Sequence, residues 1–377
     1  MINCNDFFQK AEKLDLHFFA GVPDSLLSSF SAWLMEHNPD EHVITANEGN
    51  AAAMAAGYYM ATGKIPVVYM QNSGVGNIVN PAASLLHREV YQIPVLFLVG
   101  WRGEPGIHDE PQHIFQGRAT IPMLEGMEMK TEILSTDWEK ASVQLEQAVK
   151  QMKETKESYA FVVHKGTFEP YPLRAKGKEE YPLTREQALE IITSLIPKNA
   201  AIVSTTGKMS RELFEIRERN GQEHQHDFLT VGSMGHASSI ALGVARSYKN
   251  QVYCLDGDGA FIMHMGALAV IGQSNCHNLK HILINNGCHE SVGGQPTVGF
   301  QIEPEAIAQA CGYPRTCTCI TEEELRQAIE QAANRDGLEL IQILVNAKSR
   351  SDLGRPTIPA VENKENFMNF IINMENQ

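Results

Sequence analysis

Short runs of β-branched and aliphatic residues alternate with longer Ala-, Leu- and Glu-rich stretches in both halves of the chain. This alternation is typical of parallel sheets whose strands are connected by helices. The first half is predicted to contain strands at 16–20, 42–45, 66–70, 95–99 and 160–164. The second half is predicted to contain strands at 201–204, 252–255, 281–284 and 339–345. Amphipathic helices are predicted at 139–157 and 322–335.

A segment rich in proline and charge separates the two halves. It contains Pro170, Pro172 and Pro182 and few apolar residues, which is the composition of a surface linker. We therefore predict a first domain at 1–165, a linker at 166–183 and a second domain at 184–377. The predicted fold class is α/β, with a doubly wound parallel sheet in each domain. A chain of 377 residues is of ordinary size for two domains, and three would be cramped.

Bulk composition argues against several classes of function. The formal net charge of −14 does not suit a nucleic-acid surface, which needs clustered Lys and Arg. The first residues do not form a signal peptide, and no apolar run is long enough to span a membrane. The seven cysteines include no Cys-x-x-Cys pair, so we expect reduced thiols without a metal role, Cys317 and Cys319 included. We therefore predict a cytoplasmic protein that binds neither nucleic acid nor membranes.

The most specific motif is Gly257-Asp258-Gly259, which follows a predicted strand, with Asn285-Asn286-Gly287 after the next one. The glycines allow backbone N–H groups to approach a diphosphate, and a helix predicted to begin near Ala260 offers further donors. The Asp258 carboxylate and an asparagine amide oxygen are ligands that suit Mg²⁺. A chance Gly-Asp-Gly turn is the structural alternative. The motif favours a magnesium diphosphate site.

This motif resembles that of the thiamine diphosphate enzymes, with a gap one residue longer than usual between Asp258 and Asn286. The resemblance implies that Asp258, Asn286 and the backbone carbonyl of Cys288 bind Mg²⁺. Because of the longer gap, Asn285 remains an alternative ligand to Asn286.

Glu48 stands at the start of a predicted helix built almost wholly of small residues. A glutamate there could merely favour the helix dipole, but a buried one needs a partner. The segment resembles the Asn-Glu-x-Asn-Ala-Ala motif of the pyruvate decarboxylase and acetolactate synthase group. That resemblance implies that Glu48 bonds the aminopyrimidine ring of thiamine diphosphate and promotes its activation. The first domain would then bind the pyrimidine ring, and the second the diphosphate and Mg²⁺.

Two further glycine-bearing segments, 71–77 and 231–237, resemble cofactor-contacting loops of the same family. Met234 would support the bent cofactor between its rings, although a methionine there could also be core filler. The residues implied as cofactor contacts are Asn47, Gly74, Val75, Gly76, Gly207, Ser233, Met234, Gly257, Gly259 and Ala260.

The chain has no room for a central third domain. In this respect it resembles the branch of the family that decarboxylates phosphonopyruvate, and the resemblance extends to segments 21–27, 87–89, 101–106, 109–113 and 290–297. The related sulfopyruvate enzymes usually carry the two halves on separate chains. Binding a doubly anionic 2-oxo acid requires local positive charge in an acidic protein. The candidate substrate contacts are Arg88, Arg102, Ser25 and Asn72, and His108 and His113 are candidates for proton transfer or substrate orientation. For each arginine, a solvated surface role is the alternative.

The resemblance implies decarboxylation of 3-phosphonopyruvate to phosphonoacetaldehyde and CO₂ with thiamine diphosphate and Mg²⁺. It also implies a homo-oligomer whose active site lies between the first domain of one subunit and the second domain of another. Alternative substrates are sulfopyruvate and an uncharged 2-oxo acid. A non-catalytic diphosphate-binding regulatory module is the alternative from another class, and Glu48 argues against it, because such a module needs no buried carboxyl group at a pyrimidine ring.

Overall fold

Two six-stranded parallel sheets form the framework of the protein, whose computed structural model describes residues 1–173 and 180–375. The chain divides into two units. The first comprises Met1–Lys176 with Val292–Gln295, and the second comprises Gly177–Ser291 with Pro296–Gln377.

The sheet of the first half has the strand order β2-β1-β3-β4-β6-β5, and every neighbouring pair is parallel. Its strands are β1 (Phe19–Gly21), β2 (His42–Ile44), β3 (Val67–Gln71), β4 (Leu96–Gly100), β5 (Lys130–Ile133) and β6 (Tyr159–Val163). The helices are α1 (Cys4–Lys13), α2 (Ser28–His37), α3 (Glu48–Thr62), α4 (Val75–Pro81), α5 (Pro111–Gly126) and α6 (Trp138–Thr155).

The second half repeats this architecture with the strand order β13-β14-β10-β9-β7-β8. Its strands are β7 (Ala201–Ser204), β8 (Asp227–Leu229), β9 (Val252–Gly257), β10 (Leu279–Asn285), β11 (Cys288–His289), β12 (Gln295–Pro296), β13 (Thr316–Cys319) and β14 (Glu339–Leu344). The helices are α7 (Arg185–Leu195), α8 (Lys208–Arg219), α9 (Ala237–Ala245), α10 (Asp258–Met263), α11 (Ala267–Gly272), α12 (Pro304–Cys311), α13 (Glu322–Ala333) and α14 (Ala360–Glu375). Strands β11 and β12 form a separate two-stranded sheet.

Each sheet is covered on both faces, which explains the continuous apolar character of its central strands. Along β3, Val67 and Tyr69 pack into one apolar cluster, while Val68 and Met70 pack into the cluster on the opposite face. Alternate residues of a strand point to opposite faces, so two clusters need an apolar residue at nearly every position.

The predicted α/β fold class with two doubly wound parallel sheets is confirmed, and the described residues form no third unit. In the two six-stranded sheets, strands β5, β8 and β13 were not predicted, and the helix after β9 begins at Asp258 rather than near Ala260. The domain limits at 165 and 184 stay predictions, because residues 174–179 of the predicted linker lie outside the described residues. Among the described residues, no helix combines the length and the apolar character that crossing a membrane would require.

Candidate active site

In the first unit, predicted site residues follow the carboxyl ends of four parallel strands. Ser25 follows β1, Glu48 follows β2, Asn72 follows β3 and Arg102 follows β4. The carboxyl ends of parallel strands lie along one edge of a sheet, and ligands of α/β proteins bind there. The topology therefore assembles candidate residues that are far apart in the sequence.

Glu48 is the first residue of α3 and is buried, with 4% of its surface exposed. The preceding residue, Asn47, caps the helix by accepting a hydrogen bond of 2.9 Å from the backbone N–H of Asn50. Burial raises the pKa of Glu48, although Asn77 donates a hydrogen bond of 2.6 Å to its carboxylate and opposes that shift. None of the described ion pairs includes Glu48. Burial therefore shifts Glu48 toward the neutral carboxyl form, which can donate a hydrogen bond.

Gly74 lies directly against the Glu48 side chain. A β-carbon built on Gly74 would collide with the Glu48 carboxyl group, so only glycine allows this approach. The next residue, Val75, is buried at the start of α4, and Gly76 is exposed. The structure thus brings the predicted segment 74–76 beside Glu48.

A second group in this unit is organised around Asp109. Its carboxylate accepts hydrogen bonds from Nε and Nη2 of Arg102 at 2.8 and 2.5 Å, and from the backbone N–H of Gly103 at 2.8 Å. Nδ1 of His113 lies 3.0 Å from the same carboxylate, and Nη1 of Arg102 donates to the Ser25 hydroxyl at 3.2 Å. Burial acts against the charged form of Asp109, but the bonds from Arg102 and His113 prevail and hold its pKa well below the usual range.

Three other predicted site residues have different surroundings. The Asn72 amide donates to the carbonyl of Arg102 at 2.7 Å and to the Thr120 hydroxyl at 2.9 Å, and its oxygen accepts the Arg102 N–H at 3.2 Å. It therefore holds the Arg102 backbone in place. His108 is exposed and makes none of the described hydrogen bonds. Arg88 is half-exposed and pairs with two surface carboxylates, those of Glu128 and Glu157.

In the second unit, Asp258 begins α10 directly after β9 and is 4% exposed. Burial raises the pKa of its carboxyl group to about 6, against hydrogen bonds from the Thr297 hydroxyl and from the backbone N–H groups of Asn286 and Gly259. None of the described ion pairs includes Asp258. A buried carboxylate that accepts several hydrogen bonds and has no cationic side chain beside it suits a hard metal ion.

The two candidate asparagine ligands differ in their partners. Asn285 donates from its amide nitrogen to the carbonyl of Gly299 at 2.7 Å, and its oxygen accepts the N–H of Gly287 at 3.0 Å. Asn286 donates to Glu290 at 3.2 Å, and its oxygen accepts the N–H of Cys288 at 3.1 Å. Both side chains are buried. The choice of Asn286 as metal ligand stays a prediction.

Gly259, the residue after Asp258, packs closely against neighbouring side chains. A β-carbon on Gly259 would lie 2.8 Å from the His289 ring and 3.2 Å from the Met234 methyl group. The backbone at Ser233 has a left-handed φ of 55°, and Gly207 precedes α8 with a φ of 97°. Gly257 and Gly259 are partly exposed, and Ala260 is buried. The residues present therefore fit a diphosphate held at close range by backbone groups.

Sequence reasoning missed Asn77, Asp109 and Thr297 as direct partners of the predicted residues. All three stand inside or at the ends of segments that were singled out as motifs. The signal was present, but a motif alone does not reveal which of its polar side chains faces the site.

Comparisons with known proteins show two matching family domains. The family described as "Thiamine pyrophosphate enzyme, N-terminal TPP binding domain" matches residues 6–123, and "Thiamine pyrophosphate enzyme, C-terminal TPP binding domain" matches residues 205–343. These two matches contain Glu48 and Asp258 respectively.

The chain is also similar to curated relatives over nearly its whole length. It is 33% identical to a phosphonopyruvate decarboxylase of Streptomyces viridochromogenes, covering 98% of this chain and 95% of the relative. It is 33% identical to a phosphonopyruvate decarboxylase of Streptomyces hygroscopicus, covering 98% and 94%. Sulfopyruvate decarboxylase subunit beta of Methanococcus maripaludis is 31% identical over 50% of this chain and 98% of the relative. The chain therefore belongs to the phosphonopyruvate decarboxylase family of thiamine pyrophosphate enzymes.

Proposed function

We propose that this protein decarboxylates 3-phosphonopyruvate to phosphonoacetaldehyde and CO₂ with thiamine diphosphate and Mg²⁺. The observation that carries this proposal is the 33% identity to two phosphonopyruvate decarboxylases over 98% of the chain. Two buried carboxyl groups support it. Glu48 and Asp258 follow the carboxyl ends of parallel strands, and burial raises the pKa of each.

The second domain, 184–377, would hold the diphosphate and Mg²⁺. Asp258, Asn286 and the carbonyl of Cys288 would bind the metal. The diphosphate would contact backbone groups near Gly207, Ser233, Gly257, Gly259 and Ala260. Such a set uses one carboxylate and neutral oxygens, which suits a metal that also binds phosphate oxygens.

The first domain, 1–165, would hold the aminopyrimidine ring. Glu48 would donate a hydrogen bond to a ring nitrogen, as its raised pKa allows. Asn47, Gly74, Val75 and Gly76 would line the ring, and Met234 of the second domain would support the bent cofactor. When bound, thiamine diphosphate supplies the nucleophilic carbon and the electron sink that decarboxylation of a 2-oxo acid requires.

The substrate's anionic groups would be bound by the Arg102 cluster. Asp109 fixes the guanidinium group of Arg102 through two hydrogen bonds and leaves Nη1 directed to Ser25. The Nη1 donors of a guanidinium held in this way can form charge-assisted hydrogen bonds to a phosphonate or carboxylate oxygen. His113 lies in the same cluster and could place or transfer a proton. Substrate contacts from Asn72 and Arg88, and proton transfer or substrate orientation by His108, remain predictions.

The sulfopyruvate decarboxylase relatives, which are named as subunits, support an oligomeric assembly acting on 2-oxo acids. We further propose a homo-oligomer in which the first domain of one subunit and the second domain of another complete each active site. A cytoplasmic location is proposed as well, and the seven free cysteines support it.

The decisive experiment is ³¹P NMR of phosphonopyruvate incubated with the protein, with and without Mg²⁺ and thiamine diphosphate. The expected result is conversion to phosphonoacetaldehyde only when both are present. Sulfopyruvate and pyruvate in parallel reactions test the alternative substrates, and preferred turnover of either one would replace the proposed substrate. Cofactor binding without turnover of any 2-oxo acid would favour the regulatory-module alternative.

A further inference from the structure

Glu290 lies at the centre of a charged network beside the predicted metal ligand Asn286. Its carboxylate accepts hydrogen bonds from Nη1 of Arg185 at 2.6 Å, from Nζ of Lys208 at 2.8 Å and from the amide nitrogen of Asn286 at 3.2 Å. The Glu290 side chain is 12% exposed, so water competes only weakly with these hydrogen bonds.

The network connects the loop after β10 to the first residues of two helices. Arg185 begins α7 and Lys208 begins α8, directly after Gly207. Arg185 also donates to Glu212 at 2.6 and 2.7 Å, and Lys208 donates to the Ser349 hydroxyl at 2.7 Å. Two cations and two carboxylates balance one another, so Glu290 is a compensated anion in a fixed position.

The partners of Asn286 determine how its amide is turned. The nitrogen of a side-chain amide only donates hydrogen bonds and its oxygen only accepts them, and the Glu290 carboxylate can only accept. The amide nitrogen must therefore face Glu290, and the oxygen must face the opposite side, where it accepts the N–H of Cys288 at 3.1 Å. A flipped amide would place oxygen against oxygen and donor against donor.

We propose that Glu290 is a positioning residue for the metal site: it fixes the Asn286 amide so that the oxygen, not the nitrogen, is available as a ligand. This inference rests on the proposed function, in which Asn286 binds Mg²⁺. It also explains why residue 286 is an amide. An aspartate there would bind cations more strongly by charge alone, but here its carboxylate would stand against that of Glu290, where like charges repel.

The test measures the dissociation constant of Mg²⁺ by calorimetry in the presence of saturating thiamine diphosphate. Groups that orient metal ligands typically contribute about 10–100-fold to metal affinity, so Glu290→Ala should weaken Mg²⁺ binding by roughly that factor. Glu212→Gln is the matched control, because it replaces the other carboxylate that pairs with Arg185 and does not touch Asn286. Its Mg²⁺ affinity should stay within about threefold of the wild type, well below the range for a direct effect on ligand orientation. Equal losses in the two variants, or no loss in Glu290→Ala, would overturn the proposal.

A double-substitution cycle keeps the test valid if Glu290→Ala folds poorly. The effect of Asn286→Asp on Mg²⁺ affinity should differ by about fivefold or more between the wild-type background and Glu290→Gln, which offers a donor to the new carboxylate. An Asn286→Asp effect of the same size in both backgrounds would refute the coupling. If the wild type binds Mg²⁺ and the cofactor without converting phosphonopyruvate, the proposed substrate fails while this inference still stands.

Discussion

Arg102 and Asp109 form a two-point ion pair, with Nε and Nη2 of the arginine 2.8 and 2.5 Å from the carboxylate oxygens. The side chains are 20% and 13% exposed, so water screens the pair only partly. Asp109 thereby determines where the guanidinium group points. If the cluster binds the substrate, the carboxylate should matter for affinity although it repels an anionic substrate.

We expect Asp109→Asn to raise the KM for phosphonopyruvate by about tenfold or more, because the neutral amide holds the guanidinium group less firmly. Arg102→Lys should act in the same direction, since an ammonium group cannot make the paired contacts. Steady-state kinetics measures both effects. Arg326→Ala, which removes a half-exposed arginine from α13, is the control and should leave KM unchanged. An unchanged KM in both cluster variants would exclude this cluster as the substrate site.

Glu48→Gln should fold and still bind thiamine diphosphate, but it should lose activation of the cofactor. The amide cannot supply the acid function of a buried carboxyl group, and loss of such a group typically slows proton transfer by about 10²–10⁴-fold. Hydrogen–deuterium exchange at C2 of the bound cofactor measures the step directly. An exchange rate equal to that of the wild type would show that Glu48 has another role.

Gly74→Ala should have a similar effect without altering any ionisable group. The new methyl group would collide with the Glu48 carboxyl group and displace it. C2 exchange should therefore slow by about tenfold or more, by loss of the positioned acid. Gly126→Ala is the matched control, because a β-carbon there meets no atom within 4 Å. If Gly74→Ala retains normal exchange, Glu48 does not depend on this close approach.

Asp258 makes the stability of the cofactor-free protein depend on pH. Its pKa is raised by burial from 3.8 to about 6, so its contribution to stability is present below pH 3.8 and is lost as pH rises through 6. A shift of this size corresponds to roughly 3 kcal/mol at most. Asp258→Asn lacks this loss, so its free energy of unfolding relative to the wild type should rise between pH 4 and pH 7. Urea denaturation without cofactor measures it, and a constant difference across that range would contradict the buried-carboxyl assignment.

Asp258→Asn should also lose cofactor affinity steeply at neutral pH, because the diphosphate and Mg²⁺ bind as a unit. Titration of the variant with thiamine diphosphate and Mg²⁺ measures this loss.

Mixing inactive Glu48→Gln and inactive Asp258→Ala proteins under conditions that exchange subunits should restore part of the activity. If each active site is completed by two subunits, some hybrid sites contain neither substitution. Verified hybrids without any activity would show that each site is contained in one chain.

The central strands and the two key carboxylates were predictable because their signals are local. Strand β4 is buried at all five positions and reads as an uninterrupted apolar run. Strands β5, β8 and β13 were missed, and they are three of the four strands at the edges of the two sheets. An edge strand needs fewer apolar residues, because part of its surface faces solvent, and a short polar segment such as Lys130–Ile133 then resembles a loop.

The sequence by itself determined that Glu48 and Asp258 follow parallel strands, because the strand pattern and the motif both lie within a few adjacent residues. Only the tertiary structure decided which groups surround them. Asn77 is 29 positions from Glu48, Thr297 is 39 positions from Asp258, and Arg185 is 105 positions from Glu290. Such partners are selected by the order of strands in the sheet and by the packing of helices on it. The same folding buries the carboxyl groups and so raises the pKa values of Glu48 and Asp258, an effect of desolvation that no local pattern contains.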